Sequence, residues 1–463
     1  MSVCIIARDA TSVLLESIRP MVELMFSQSA RSEGDFGNVE LSIADLILRM
    51  RPVIVSQALS MAISCCRHDY GCPDCGRSLT GWGTRDRSLM TSQGEGRIQV
   101  PRYRCEACQS EYSPIIESNA LAGTRFTLGA IERIVSEAAE DAYATVSTSL
   151  PEIGIQVSAK EVDRQVAQVA AWHEEQEKPE IAAAFNPETD TEGLYGWNGW
   201  QGQDWAMISV DCGKVRSPER GEDGRLKWFD ARCGLIRPLE DIPGLRGYRT
   251  GGVMETFDPL FETLFAVWQR RPACVRRAVF LADGGNGIWE RARFYFPDAV
   301  HILDIYHAGE HVGSASDAAW GQGSERAVRF KHEARGMLME PNGPRRLIRS
   351  FLGILRDGAA DATALKREIA YLYAHRNKMR YAEWKQMGLP IGSGAMESMI
   401  KQVCVARLRQ PGMKWTRHGA NAMLRVKTAC QSQTMSVVFQ RRREAAKASV
   451  QRYFNSTTVS MAA

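Results

Sequence analysis

Three apolar runs in this chain each end on an aspartate, and a glutamate follows on a glycine-framed helix start. The first run, Trp205–Val210, ends at Asp211. The second, Ala278–Ala282, ends at Asp283, with Gly284 and Gly285 after it. The third, Ala299–Leu303, ends at Asp304 and is followed by Ile305, Tyr306 and His307. The glutamate is Glu397, within Ile391-Gly-Ser-Gly-Ala-Met-Glu397. Short β-rich apolar runs suit buried strands, and carboxylates at strand exits can converge at a sheet edge. Converging carboxylates repel one another unless a divalent cation neutralises them. That combination is what a two-metal phosphoryl-transfer site requires. An aspartate at a strand end is by itself usually a turn former; the succession of three gives the pattern weight.

A length of 463 residues predicts about three domains. Hydrophobic content of 44% and charged content of 24% are those of a globular protein. No uninterrupted apolar stretch approaches the roughly 18 residues of a membrane span. The first twenty residues are broken by Arg8, Asp9 and Glu16 and do not read as a signal peptide. Twelve cysteines are too sparse for a disulfide scaffold, so a reducing cytoplasm is expected.

The net charge of +4 hides an asymmetry. Ser398 to the end carries twelve Lys/Arg and one acid, Glu444, leaving 46 basic and 53 acidic residues before it. A one-sided basic block is the usual footprint of a polyanion; the bland alternative is a solvated tail. Here Lys401, Arg407, Arg409, Lys414, Arg417, Arg425 and Lys427 are interleaved with Val403, Leu408, Met413, Trp415, Met423 and Leu424, enough apolar residues to fold.

Residues 1–66 read as helical. Residues 67–120 are turn-rich and hold Cys72-Pro-Asp-Cys75 and Cys105-Glu-Ala-Cys108. Two CxxC pairs offer four thiolates to tetrahedral zinc, and the intervening span can form a hairpin, so a structural zinc ribbon is expected. Cys65 and Cys66 leave another ligand choice open. Arg97, Arg102 and Arg104 on the ribbon are candidate DNA contacts. Residues 121–177 are helical, with Ile131, Ile134, Val135 and Ala138 on one face. A helix over about 159–173 opens with a capping box at Ser158 and Glu161. Both a helix-turn-helix and a plain helical hairpin fit. Residues 178–203 read as a linker. The block 204–430 is expected to be α/β, with strands near 226–236 and 247–253 and a helical insertion at about 312–388. Residues 431–463 form a basic tail. His307 and His311 stand one turn apart and could ligate a metal or, more commonly, support a neighbouring site.

Together these motifs resemble the ISKra family of bacterial insertion-sequence transposases. The resemblance rests on CPDCG at Cys72–Gly76, RYRCEAC at Arg102–Cys108, SVDCG at Ser209–Gly213, LADGGNGIW at Leu281–Trp289 and ILDIYHAGEH at Ile302–His311. It continues from Arg380 through GLPIGSGAMES to Lys401, Arg407–Arg409 and GMKW at Gly412–Trp415, covering about residues 70–430. It implies an RNase H-like mixed sheet flanked by helices, carrying a DDE site of Asp211, Asp283 and Glu397 that holds two Mg²⁺ or Mn²⁺ ions. Asp304 and His307 resemble a supporting D-x-x-H element. Cys212 departs from the glycine expected after the first acid. Asp283 and Asp304 compete for the second acid; Gly284-Gly285 would let a phosphate backbone approach Asp283. The implied activity is metal-dependent DNA strand cleavage and strand transfer at terminal inverted repeats. The implied assembly on DNA is a homodimer or larger, and Lys401, Arg407, Arg409, Lys414 and Arg417 would neutralise phosphate. A domesticated, non-catalytic zinc-ribbon DNA binder and a metal-dependent nuclease are the alternatives.

Overall fold

The computed structural model describes residues 2–31, 35–65, 69–186, 197, 200, 202–240, 247–285 and 287–454. Cys66, Asn286 and half of the expected linker lie outside them. The chain is a multidomain α/β protein of two compact units. One comprises residues 1–172 with 435–463, and the other comprises 173–434.

The first unit opens with two long helices, α1 (Ser2–Ala30) and α2 (Phe36–Cys65). A three-stranded antiparallel sheet follows: β1 (Thr80–Thr91), β2 (Gly94–Arg104) and β3 (Glu111–Tyr112). The short helix α3 (Pro114–Ser118) precedes α4 (Leu128–Ala138), where Thr127 accepts the Ala130 N–H as N-cap. Ile131, Ile134, Val135 and Ala138 are all fully buried, the face that their 3.6-residue spacing predicts. After α5 (Tyr143–Ser149), α6 runs Ala159–Ala184, eleven residues further than expected, with Pro179 inside it. Ser158 Oγ accepts the Glu161 N–H at 3.2 Å, one half of a capping box, while the Glu161 carboxylate accepts from Arg164 and Gln165 rather than from the Ser158 N–H.

Phe36–Cys65 is long and apolar enough, by length and composition, to cross a membrane. Arg49 and Arg51 interrupt its apolar run.

The second unit is built on a mixed sheet: β4 (Trp205–Arg220), β5 (Leu226–Pro238), β6 (Tyr248–Val253), β7 (Arg277–Ala282) and β8 (Val300–Leu303). Its order is β6-β5-β4-β7-β8. The first three pair antiparallel, and β7 and β8 add in parallel. Between β6 and β7 lies α7 (Asp258–Gln269), and between β7 and β8 lies α8 (Ile288–Tyr295). Stacked Phe261, Phe280 and Phe296 fill the core beneath them.

After β8 come α9 (Ile305–Trp320), α10 (Glu325–Leu338), α11 (Gly343–Asp357), α12 (Ala362–His375) and α13 (Tyr381–Gln386). Helix α9 starts before the insertion expected from about residue 312, and α10 to α13 fall within it. The chain returns through α14 (Gly394–Ile400), a wide turn at Lys401–Val405 closed by Ala406 N–H to Lys401 O, and α15 (Arg417–Gln431). Consecutive strand residues face opposite ways. A side chain at Gly234 would meet Leu264 of α7, whereas one at Gly213 would meet Ile400 of α14 and Cys404 in the turn after it. The sheet is therefore covered by α7 on one face and by α14 with the following turn on the other, while Asn421 of α15 accepts the Val253 N–H of the edge strand β6 at 3.1 Å.

Residues 435–454 are folded rather than a solvated tail. Helix α16 (Met435–Ser449) belongs to the first unit, where Phe439 packs edge-on to Trp172 and Arg443 pairs with Glu132 at 2.7 Å.

Candidate functional site

Sequence expectation ended the first strand at Asp211. The strand continues to Arg220, because β5 pairs with it antiparallel along that length. What ends at Val210 is the parallel ladder to β7, whose last pair is Val210–Ala282. Asp211 and Asp283 thus follow the last rung of two adjacent parallel strands, where the sheet opens. Asp211 pairs in register with Cys233, so it shares the face covered by α14. Its Oδ1 accepts the Cys212 N–H at 2.6 Å. Burial, aided by the negative charges of Asp283 and Asp304, raises this carboxyl to about 6, against the opposing pull of the Cys212 N–H and of His307. Asp283 turns back to accept the Gly285 N–H at 3.0 Å.

Asp304 is used differently. It is 3% exposed and caps α9, its Oδ1 accepting the N–H groups of Tyr306 and His307. Its Oδ2 accepts the Ser393 N–H at 2.5 Å, and Ile305 N–H bonds Ile391 O at 3.0 Å. Asp304 therefore ties β8 to the loop that launches α14. With both oxygens engaged by backbone donors, it suits a brace better than a metal ligand.

Glu397 sits in the first turn of α14, but its side chain is 63% exposed and pairs with Lys401 at 2.8 Å. Asp211, Asp283 and Glu397 are thus not drawn into one ligand cluster. Among the described residues, the group whose ligand atoms all lie within 4.8 Å is the four cysteines.

The helical insertion contributes a cluster that sequence reasoning missed in part. His311 stacks on Tyr371 at 3.5 Å, and its Nδ1 lies 2.7 Å from buried Glu368. His307 and His375 flank them, at 4.9 Å from His311 and 4.5 Å from Tyr371. Burial, with Lys378, His311 and His307 nearby, lowers His375 to about 4. Tyr371 presses its hydroxyl onto Gly284: a Cβ there would lie 1.5 Å from it. The room that Gly284 was expected to leave for a phosphate is therefore taken by a phenol. Burial and the charges of Asp283 and Glu368 raise that phenol well above its ordinary range. Glu368, Tyr371 and His375 recur at helical spacing, the one sequence signal that could have found them.

The cysteine site is closed. Cys75 and Cys105 sulfurs lie 3.5 Å apart, and those of Cys72 and Cys108 lie 4.0 Å apart. Tyr112 reaches Cys72 Sγ at 3.5 Å and donates to Asp74 at 2.5 Å. Burial opposes ionisation of Cys72, but hydrogen bonding with Tyr112, with the Asp74 and Cys75 backbone and with Cys105 lowers it to about 6. Four thiols so gathered could hold zinc.

The expected DNA-contacting cations differ in exposure and in what already engages them. Arg97, Arg409, Lys414, Arg417 and Lys401 are exposed, with Lys401 paired to Glu397 and Arg417 over the Phe229 ring. Arg407 is 1% exposed beneath the Trp415 ring and does not offer its guanidinium to a phosphate. Arg425 is held against buried Glu177. Arg102 and Arg104 lean on Glu111 and on the Trp82 ring. A feature not foreseen is exposed Trp228, which carries Arg216 and Arg409 at 5.3 and 5.4 Å from its ring.

A family described as "Domain of unknown function (DUF6431)" matches residues 72–150. No curated protein matches the chain. The Drosophila P element transposase strand transfer complex is similar at 10% identity and a TM-score of 0.25, over 71% of this chain and 83% of that one. At that score the likeness carries no argument.

Proposed function

We propose that this chain is a DNA transposase of the DDE type, acting on DNA by metal-dependent phosphoryl transfer from an RNase H-like domain. The observation that carries this reading is the pairing of Asp211 and Asp283 after the last rung of two adjacent parallel strands, with the Asp211 carboxyl raised to about 6 by burial and by its acidic neighbours. Such repulsion marks a place where a divalent cation would be held, so the two carboxylates fit Mg²⁺ or Mn²⁺. The strand order, three antiparallel strands followed by two parallel ones, supports an RNase H-like sheet. When bound, the ions would supply an activated oxygen nucleophile and stabilise the departing oxygen. Asp211 and Asp283 hold that charge at the sheet edge. Asp304 keeps the start of α14 against β8, so that Glu397 can turn from Lys401 toward the sheet when DNA arrives. His311 and Glu368 fix the Tyr371 ring and keep the strand end dry. Arg216, Trp228, Arg409, Lys414 and Arg417 offer charge and a stacking face to nucleic acid.

A second reading is favoured by one observation: Glu397 is exposed and already paired with Lys401. A chain whose third acid stays outside would be a DNA binder without cleavage. Plasmid DNA carrying the sequence that flanks the gene distinguishes the two. Under the transposase reading, Mg²⁺-dependent nicking falls about 100-fold or more in Asp211→Ala, Asp283→Ala and Glu397→Ala, with DNA binding retained. Nicking that survives in all three variants sinks the assignment, and binding without nicking by the wild type supports the non-catalytic reading.

A further inference from the structure

Tyr371 of α12 carries a hydroxyl that packing does not explain. The hydroxyl oxygen is buried and, among the described residues, has no hydrogen-bond partner. A buried polar group without a partner is destabilising, and in a native fold it calls for a reason. A phenylalanine would fill the same place and strand nothing. The ring is also fixed from its face. His311 stacks on it at 3.5 Å and 16° from parallel, and Glu368 holds His311 Nδ1 at 2.7 Å. His375 lies 4.5 Å from the ring. The hydroxyl therefore has a set place, against the backbone of Gly284. A Cβ on residue 284 would lie 1.5 Å from the oxygen and 2.4 Å from the carbon that bears it. Only a residue without a side chain lets the phenol come so close.

Burial and the charges of two carboxylates, Asp283 and Glu368, raise this phenol, so it keeps its proton and is a donor. Glu368 is already engaged, Oε2 by His311 and Oε1 by Arg367. Asp283 is engaged through one oxygen. Its Oδ1 accepts the Gly285 N–H at 3.0 Å, and its Oδ2 makes no hydrogen bond among the described residues. Asp283 is thus the acceptor left for the phenol, one residue from the glycine on which the hydroxyl rests. We infer that Tyr371 is a positioning residue for Asp283: its hydroxyl donates to that carboxylate when Asp283 takes up a divalent cation, and so fixes which oxygen faces the ion. This rests on the reading of Asp283 as a cation ligand. A carboxylate that ligates a metal is itself hydrogen-bonded, and losing the outer partner weakens metal binding about 10- to 100-fold. Gly284 admits the phenol, His311 fixes its ring, and Glu368 fixes the imidazole.

Mn²⁺ binding to the full-length protein, read from the paramagnetic resonance of free Mn²⁺, tests this without turnover. Tyr371→Phe keeps the ring and its stacking and should weaken binding about tenfold or more. Gly284→Ala should weaken it as much, because its Cβ expels the phenol. The two together should bind no more weakly than either alone, since both act through one hydrogen bond. Asp283→Ala should weaken binding at least as much, and adding Tyr371→Phe to it should change nothing. In the nicking assay, raised Mn²⁺ should restore Tyr371→Phe and not Asp283→Ala, a rescue that lost packing would not show. Circular dichroism checks that each variant is folded. Wild-type affinity in Tyr371→Phe beside a defective Asp283→Ala overturns the inference and leaves the ligand reading standing. Losses that add in the Gly284→Ala, Tyr371→Phe pair do the same. An Asp283→Ala variant that binds as the wild type does overturns the ligand reading, and the inference with it. So does a wild type that binds no Mn²⁺.

Discussion

Asp211 shows how one carboxylate carries both a stability cost and a site. Its folded value of about 6 stands above the ordinary value of about 3.9, so the folded state holds its proton more tightly than the unfolded one. Stability therefore falls as pH rises from about 4 to 6, and the charged form costs on the order of 2–3 kcal/mol at neutral pH. Asp211→Asn should raise the melting temperature at pH 7, and the gain should vanish as pH is lowered through 6 to 4. Mg²⁺ should stabilise the wild type and not the variant. Thermal melts across pH with and without Mg²⁺ check both; an Asn variant no more stable at pH 7 would refute the repulsion. Asp211 and Asp283 were legible as ends of apolar runs. The partners of Asp304 were not, because Ser393 is 89 residues away in the chain. Tyr371 carried no motif, and only packing brings its hydroxyl to Gly284.

The ribbon is the element whose chemistry was most legible. CxxC spacing places two thiols in each turn, and the antiparallel register of β1 with β2 brings the turns together, so local pattern and pairing agree. Plasma emission analysis of protein purified without chelator should find one zinc per chain. Cys72→Ser and Cys105→Ser should each lose it and loosen the β1–β3 sheet, seen as faster amide exchange there. Zinc-free wild-type protein with a protected sheet would contradict this. The basic block from residue 398 was less legible. Composition reads charge but not direction: Arg407 and Arg425 point inward, while Arg409 and Arg216 flank Trp228.

At the scale of the whole molecule, the last described segment completes the first unit. Phe439 and Tyr453 are fully buried there, and Tyr453 donates to Glu117 at 2.5 Å. Truncating a buried aromatic costs about 3–5 kcal/mol. Phe439→Ala and Tyr453→Ala should therefore open residues 69–172 to limited proteolysis while residues 205–431 stay resistant. Cleavage no faster than in the wild type would mean that residues 435–454 do not support that unit. The sequence by itself determined what short-range chemistry determines. It set the apolar runs that become β4, β7 and β8, the Ser158 cap of α6 and the thiol pairs. Tertiary structure decided what depends on distant partners: β4 extending past Asp211 because β5 lies beside it, Asp304 becoming a brace, and the C-terminal helix joining the N-terminal unit. Periodicity reports which face of an element is apolar, but which surface covers it depends on chain hundreds of residues away.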